Sequence, residues 1–495
     1  MAAIAERVTV TSSEPSPRDR RRALPPHLAA SVVLVLTVLA FFVAIITVSL
    51  DRHKMSVVDE HVHLDYALRI HDGVVPYRGL PYSDALITEW ACGVGHEAGD
   101  IAYPCGSPAL SPDVLPSGRW STAYIHYPTF FLAADGWRRG LDAAGTGVDS
   151  VSAYRSFSAA LMIAGVLVCA AGAWRAGVRG SRLIIATLVP VAASAIALLG
   201  TLVNPASAAP LQGALVAIAG VRWMMTGRGF WWLLAAAAFA SGTAVTDSLP
   251  VGAFMLAAVV VLVAGRRVRI DSPWRPRWWH VGALAAVVLI PVLVWGRIIA
   301  ARAVVSNETL YAFAARGDAM SVASGVVREL TSFHLPWIDT AEFPGAGFFM
   351  VLRSASSGLT PWVGLLVAAV LVLVALRTMR PRPLEDPAGP AAEVQGDDEQ
   401  GTQVLRAVGG ATTTLQPLVL LAATTVLTIV LYPPALRLAN ALNFGFDFPI
   451  VSRYTVSFAP MMALLVALLV PGKALPRLLA GVAVVVVLGL SFSWV

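Results

Sequence analysis

The chain has 495 residues, of which 57% are hydrophobic and 13% are charged, whereas a soluble domain carries about 25% charged residues. This composition excludes a soluble globular protein, and repeated apolar runs of about 20 residues predict a membrane protein with several spans. The net charge of +6 does not indicate nucleic-acid binding, because the basic residues lie in short connections between the predicted spans.

The apolar runs predict an all-α polytopic membrane protein with about eleven transmembrane helices. The predicted spans are 28–50, 157–174, 183–203, 206–225, 230–246, 250–265, 279–303, 360–377, 415–436, 455–471 and 477–495. The chain divides into an N-terminus, a transmembrane core, a linker and C-terminal transmembrane helices, over residues 1–27, 28–377, 378–414 and 415–495. The N-terminus is rich in Pro, Ser and Arg, and residues 383–405 of the linker are rich in Pro, Gly, Ala and acidic residues, which predicts disorder in both.

The distribution of arginine and lysine predicts the orientation of the chain in the plasma membrane. Basic clusters, which mark cytoplasmic connections, occur at 18–22, 175–182, 222–228, 266–277, 377–382 and 473–477. The short turns on the opposite side, 203–205 and 246–250, carry no basic residue. We therefore expect a cytoplasmic N-terminus and linker, an extracytoplasmic C-terminus, and two long outer loops at 51–156 and 304–358.

Two of the three cysteines lie in the first outer loop. Cys92 and Cys105 are separated by twelve residues, and an extracytoplasmic position allows a disulfide to persist. Such a bridge would stabilise the loop by about 3 kcal/mol on the chain-entropy model. The alternative is a pair of unpaired thiols. Cys169 lies inside the second span, where it is expected to be part of the core.

The stretch Asp59-Glu60-His61-Val62-His63 follows the first span by a few residues. Carboxylates and histidines are costly to place at the mouth of a membrane bundle. A carboxylate there can act as a general base or hold a divalent cation that neutralises a departing phosphate. Asp59 and His63 are four residues apart and share a face if the stretch is helical, whereas Glu60 points elsewhere. The alternative is a solvated loop with ordinary surface charge.

This stretch resembles the Asp-Glu pair that opens the first outer loop of GT-C-type glycosyltransferases. It is similar to the Asp-Glu-x-x-His motif of a bacterial family of predicted multi-pass membrane glycosyltransferases. An Asn-Pro at an outer turn, here Asn204-Pro205, and an Arg-Tyr before a late span, here Arg453-Tyr454, also match that family. The resemblance implies transfer of a sugar from a polyprenyl-phosphate donor to a cell-envelope glycan or lipid acceptor.

The resemblance also implies roles for individual residues. Asp59 and Glu60 are the predicted catalytic residues. Asp59 would be the base or a ligand of Mg²⁺ or Mn²⁺, and Glu60 and His63 would support it. The donor phosphate needs cationic partners, and guanidinium groups bind phosphate in a bidentate manner. The predicted substrate-binding residues are His63, Asn204, Asp247, Arg297, Arg302, Arg353, Arg453 and Tyr454. Arg453 is the first choice among the arginines.

Several of these residues can also be explained by roles in structure or in membrane anchoring. The outer arginines could extend to lipid headgroups, and Asp247 could cap the helix that begins near Pro250. A transporter or flippase of lipid-linked glycans is an alternative function. Such a protein is expected to carry ionisable residues deep within its spans, and this sequence has few. A non-catalytic protein of envelope assembly is another. An intramembrane metalloprotease is set aside, because the stretch lacks two histidines four residues apart.

Overall fold

The computed structural model describes most of the chain. The described residues are 26–56, 59–94, 104–115, 118–265, 268–310, 319–332, 334–338, 350–379, 413–446 and 450–494. At a few positions within these ranges, Arg353 among them, the backbone is described but the side chain is not.

Helices make up nearly all of the regular structure in these ranges. In chain order they are α1 (Pro26–Leu50), α2 (Glu60–His71), α3 (Asp84–Cys92), α4 (Pro128–Ala143), α5 (Ser150–Arg175), α6 (Ser181–Leu188), α7 (Ser194–Leu199), α8 (Ala209–Thr226), α9 (Phe230–Ser241), α10 (Leu249–Ala264), α11 (Trp278–Arg302), α12 (Asn307–Leu310), α13 (Ala319–Thr331), α14 (Met350–Met379), α15 (Pro417–Phe444), α16 (Ala459–Leu469) and α17 (Ala474–Trp494). Longer 3-10 turns directly precede α8, α10 and α16, over Pro205–Ala208, Val245–Ser248 and Ser452–Phe458.

Eight helical stretches in the described residues are long and apolar enough to cross a membrane. They are Leu28–Leu50, Ser150–Arg175, Pro205–Thr226, Val245–Ala264, Trp278–Arg302, Pro417–Leu442, Ser452–Leu469 and Ala474–Ser493. Shorter apolar helices at Ser181–Val191, Phe230–Ser241 and Gly358–Val374 overlap the remaining three predicted segments. The protein is therefore a helical multi-pass membrane protein. The predicted count of eleven requires the three shorter helices to cross as well.

The predicted span 183–203 is not one continuous helix. Helix α6 ends at Leu188, a 3-10 turn covers Val189–Val191, and α7 begins at Ser194. Pro190 lies in this turn. Proline has no amide hydrogen and clashes with the preceding turn, which disfavours a regular helix at this position, although α11, α14 and α15 each continue through a proline. The break lies among fully buried residues, packed against α16 and α17.

The first predicted outer loop is folded. Helices α2, α3 and α4 pack together and onto α5. Their shared core contains Tyr66, Trp90 and Phe131, all fully buried. Cys92 at the end of α3 and Cys105 are joined by a disulfide, the pair that the sequence predicts. This packing gives α2 a fixed position above the membrane helices. Cys169 is a buried free cysteine in α5.

Two short strands connect distant parts of the chain. Strands β1 (Val268–Ile270) and β2 (Thr413–Leu415) pair in parallel. Strand β1 lies between α10 and α11, whereas β2 ends the predicted linker. That end of the linker is therefore ordered against the connection between two spans. The structure does not describe residues 1–25 and 380–412. The predicted disorder of the N-terminus and of 383–405 falls on these residues and therefore lies outside the described part of the chain.

The 3-10 turn Ser452–Phe458 carries Arg453 and crosses α8 at very close range. Gly213 of α8 faces the backbone carbonyl of Ser457, and a Cβ at this glycine would overlap that carbonyl oxygen. On its other side the Ser457 hydroxyl donates to the Thr246 carbonyl oxygen at 3.2 Å. The backbone that carries Arg453 is thus fixed from two directions by α8 and by the turn before α10.

The close approach at Gly213 predicts opposite effects for two glycine-to-alanine changes. Gly213→Ala should lower the free energy of unfolding by about 1–3 kcal/mol, because a backbone atom cannot move aside as a flexible side chain can. Gly481→Ala in α17, where nothing lies within 4 Å of the added Cβ, should be neutral or stabilise the helix by up to about 1 kcal/mol. Thermal unfolding of the detergent-solubilised variants measures both. Equal stability of the two variants would contradict the packing.

Candidate functional site

Asp59 precedes α2 in an unusual backbone conformation. Its φ of 64° places it in the left-handed region, and it is the one non-glycine residue with positive φ among those described. This conformation costs an L-residue about 1–2 kcal/mol, although Asp and Asn adopt it more readily than most. The Asp59 side chain makes no capping hydrogen bond to α2. Its carboxylate is therefore available for contacts outside its own helix.

The contact that it makes is with Arg453. The Nη2 atom of Arg453 donates to Oδ2 of Asp59 at 2.5 Å, across 394 positions of sequence. The two side chains are 46% and 26% exposed for Asp59 and Arg453, respectively. The guanidinium of Arg453 also lies 5.8 Å from the ring centroid of Tyr454. The Arg453 guanidinium thus contacts a solvent-accessible carboxylate and lies near an aromatic ring, and all three groups belong to residues of the predicted site.

Glu60 has a different environment from its neighbour. It is fully buried, and its carboxylate accepts hydrogen bonds from Nε and Nη2 of Arg155 at 2.8 and 3.1 Å. The backbone amides of Ser56 and Val203 donate to it at 2.7 and 3.2 Å. Burial raises the pKa of Glu60, but the Arg155 charge and these hydrogen bonds outweigh it and hold the pKa below the ordinary value.

This geometry makes Glu60 a structural residue. A carboxylate that already accepts four hydrogen bonds in a closed environment has no free position for a reacting group. The prediction of a catalytic Glu60 is therefore not supported. The sequence interpretation also missed Arg155, its buried partner in α5. The available signal was a charged residue two positions before the predicted span 157–174.

His63 contacts a second histidine, which is not among the predicted site residues. The Nε2 atoms of His63 and His126 lie 3.2 Å apart, within hydrogen-bond distance. Burial lowers the pKa of both imidazoles, to about 4 for His126. The Arg453 charge lowers both further, whereas Asp59 opposes the shift at His126. Two neutral rings can share one proton in this contact. His126 is therefore added to the site.

The neutral histidines predict a pH dependence of stability. The pKa of His126 is about 4 in the folded protein against an ordinary 6.5. Between these values the unfolded chain binds a proton that the folded chain does not, so stability falls as the pH is lowered. His126→Gln should reduce that slope by up to about 1.4 kcal/mol per pH unit. Thermal unfolding from about pH 7.5 to 4.5 measures it, and identical slopes for variant and wild type would contradict the assignment.

Asn204 and Asp247 lie at neighbouring turns. The Asn204 side chain accepts a hydrogen bond from the amide of Ala206 at 2.9 Å and caps the 3-10 turn before α8. Asp247 is 3% exposed, and its Oδ2 has no hydrogen-bond partner among the described residues. It does not cap α10 through its side chain. Asn204 is therefore explained by local structure, whereas the buried Asp247 carboxyl is not.

The other predicted arginines are placed differently from Arg453. Arg297 is exposed on α11. Arg302 is exposed at the end of α11, where it donates to the Val75 carbonyl oxygen at 2.8 Å and lies 5.5 Å from the ring centroid of Tyr77. The Arg353 side chain lies outside the described part of the structure. Arg453 is therefore the arginine that the described side chains join to Asp59.

A metal role for Asp59 depends on ligands from a substrate. Within the described ranges no group of three or more His, Cys, Asp or Glu side chains is arranged to hold a metal ion. Mg²⁺ sites commonly use one or two carboxylates together with substrate phosphates and water. Asp59, as a single accessible carboxylate, fits only that kind of site. The prediction of Mg²⁺ or Mn²⁺ therefore requires a bound phosphate.

No family model, curated protein or solved structure matches this chain. Function is therefore inferred from the site itself.

Proposed function

We propose that this protein is a GT-C-type glycosyltransferase that moves a sugar from a polyprenyl-phosphate donor to a cell-envelope glycan or lipid acceptor. The observation that carries the proposal is the accessible Asp59–Arg453 pair at one end of a membrane bundle. It combines a carboxylate that can accept a proton with a guanidinium that can bind phosphate. The proposal includes eleven spans, a cytoplasmic N-terminus and an extracytoplasmic C-terminus in the plasma membrane.

In the proposed reaction, Asp59 accepts the proton of an acceptor hydroxyl as its oxygen attacks the anomeric carbon. The bond from that carbon to the phosphate oxygen breaks, and polyprenyl phosphate leaves with the electron pair. Arg453 stabilises the charge of the departing phosphate through bidentate hydrogen bonds. The binding of phosphate to Arg453 would also release Asp59 from its ion pair, so that donor binding itself frees the base.

The neighbouring residues fit supporting roles in this scheme. His63 and His126 are neutral donors and acceptors beside Asp59 and Arg453. A neutral imidazole has one donor and one acceptor nitrogen, so these histidines can form hydrogen bonds to a phosphate that is bound by Arg453. A divalent cation held by Asp59 and the donor phosphate would add further charge neutralisation. Tyr454 offers a ring face for a sugar.

The test supplies the purified protein in proteoliposomes with labelled polyprenyl-phosphate sugars and measures release of polyprenyl phosphate. Wild type should consume one of these donors, and Asp59→Asn should not do so at a comparable rate. Consumption of no donor, or equal rates for wild type and variant, would contradict the proposal. Asp72→Asn, an exposed change just after α2, is the matched control.

One observation favours a second candidate, a transporter or flippase of lipid-linked glycans. The buried Asp247 carboxyl lies at the start of a span without a partner for Oδ2 among the described residues. Buried acids in membrane helices commonly mark proton or substrate pathways. The same proteoliposomes distinguish the two functions. Movement of an intact fluorescent lipid-linked glycan across the bilayer, lost in Asp247→Asn, would support transport instead of transfer.

A further inference from the structure

Helix α13 belongs to the second predicted outer loop, yet part of its exposed surface is apolar. Its apolar stripe consists of Met320, Ala323, Val327 and Leu330, all exposed. At about 100° per residue these four positions fall within a sector of about 80°. Ser324 and Arg328 are also exposed and fall in the adjacent sector. The exposed half of α13 is therefore divided lengthwise into an apolar and a polar stripe.

The opposite face of α13 is fastened to the membrane helix α15 by buried charges. Glu329 accepts a hydrogen bond from Nη1 of Arg437 at 2.5 Å, and its other oxygen lies 2.5 Å from Nε2 of His334. All three side chains are buried. Gly325, one turn earlier, leaves room for the Arg437 guanidinium, which a Cβ at this position would overlap. Helix α13 is thus held directly against α15 by a specific contact.

The fastening point lies inside the apolar part of α15. The membrane-compatible stretch of this helix ends at Leu442, and Arg437 comes five residues earlier. At 1.5 Å per residue, this places the contact about 7.5 Å below the end of the stretch. Leu438 and Leu442 are exposed beside it, so the apolar surface of α15 continues next to α13. Interfacial helices lie about 5–10 Å deep, at the boundary of headgroups and acyl chains.

We propose that α13 is an interfacial helix with its apolar stripe in the acyl chains of the bilayer. The leaflet is the one on the side of Asp59 and Arg453. Ser324 and Arg328 then face headgroups and water, as the polar side of such a helix does. The partner is the lipid surface, and the apolar surface of α15 beside α13 favours it. This inference does not depend on the proposed enzymatic function.

A hydrogen bond from the backbone connects α13 to the segment that leads into the candidate site. The amide of Ile450 donates to Oε1 of Glu329 at 3.4 Å. Ile450 precedes Arg453 by three residues, so the residue that fastens α13 also holds the segment that leads into the site. The Asp59–Arg453 pair would accordingly lie close to the level of the lipid headgroups.

The test compares fluorophores attached to the two stripes in proteoliposomes. Val327→Cys and Ser324→Cys are made in a Cys169→Ala background, because Cys169 is the free cysteine of the described chain. Lipids with a nitroxide near the headgroup should quench the label at position 327 about threefold more than that at 324, and aqueous iodide should show the reverse order. Met320→Cys and Arg328→Cys repeat the comparison on other turns.

Two outcomes would overturn the inference. Strong quenching of both labels by iodide, with little by lipid nitroxide, would place α13 in water. Strong quenching of both by lipid alone would place the whole helix within the acyl chains. Gly325→Ala tests the fastening, since it should shift the label at position 327 toward iodide by about twofold. Gly296→Ala, with nothing within 4 Å of its added Cβ, should leave the quenching unchanged.

Discussion

The Asp59→Asn variant should transfer sugar about 10²–10⁴-fold more slowly than wild type, which is the range that general-base catalysis contributes. An amide cannot accept the proton of an acceptor hydroxyl, and it carries no charge to orient Arg453. Both losses act on the same step, because the Asp59 carboxylate and the Arg453 guanidinium are in direct contact. Release of polyprenyl phosphate under single-turnover conditions measures the effect.

Asparagine is the appropriate replacement because it preserves the backbone. Asp59 has a φ of 64°, and asparagine is among the few L-residues that adopt the left-handed region readily. The ion pair that is lost is accessible to solvent, and such pairs contribute only about 0–1 kcal/mol to stability. The variant should therefore unfold at nearly the wild-type temperature. A rate within about twofold of wild type, in a folded variant, would contradict the proposal.

Glu60→Gln should produce the opposite result, a loss of folded protein. Removing one charge leaves Arg155 buried without its counter-ion, which costs about 3–5 kcal/mol in buried pairs. The same carboxylate accepts hydrogen bonds from the backbone amides of Ser56 and Val203. The variant therefore also weakens the hydrogen bonds that hold the connection to α2 and the turn before α8. Size-exclusion profiles and thermal unfolding in detergent measure the effect.

The matched control for Glu60 is the partly exposed pair of Arg52 and Glu89. Their side chains are 54% and 31% exposed, and the charged atoms lie 3.6 Å apart. Glu89→Gln should therefore change the free energy of unfolding by no more than about 1 kcal/mol. A Glu60→Gln variant that is as stable as wild type but inactive would contradict the structural role and return Glu60 to the catalytic group.

The membrane helices could be predicted from the sequence because hydropathy is a local property. Each apolar run contains its own signal, and all eight stretches able to span a membrane overlap predicted segments. The break near Pro190 shows the limit of this approach, since mean hydropathy does not register a missing amide hydrogen. The proline itself was visible in the sequence.

The candidate site could be predicted only in part. The motifs and the predicted side of the membrane select Asp59 and Arg453, and their side chains are in contact in the structure. The burial of Glu60 could not be predicted, because its partner Arg155 is 95 positions away. The same holds for His126, which is 63 positions from His63. Pairings of this kind depend on the folding of the whole first loop.

The β1–β2 pair has a consequence for the way in which the molecule is assembled. Helices α15 to α17 follow a long connection. Strand β2, directly before α15, pairs with β1 in the connection between α10 and α11 and so fixes where α15 begins. Helix α17 packs against both α1 and α14, and α15 packs against α10. Covalent continuity between Met379 and Thr413 is therefore not what holds the C-terminal helices in place. Two separately synthesised pieces, divided in that interval, carry complementary surfaces and should reassemble into one membrane bundle.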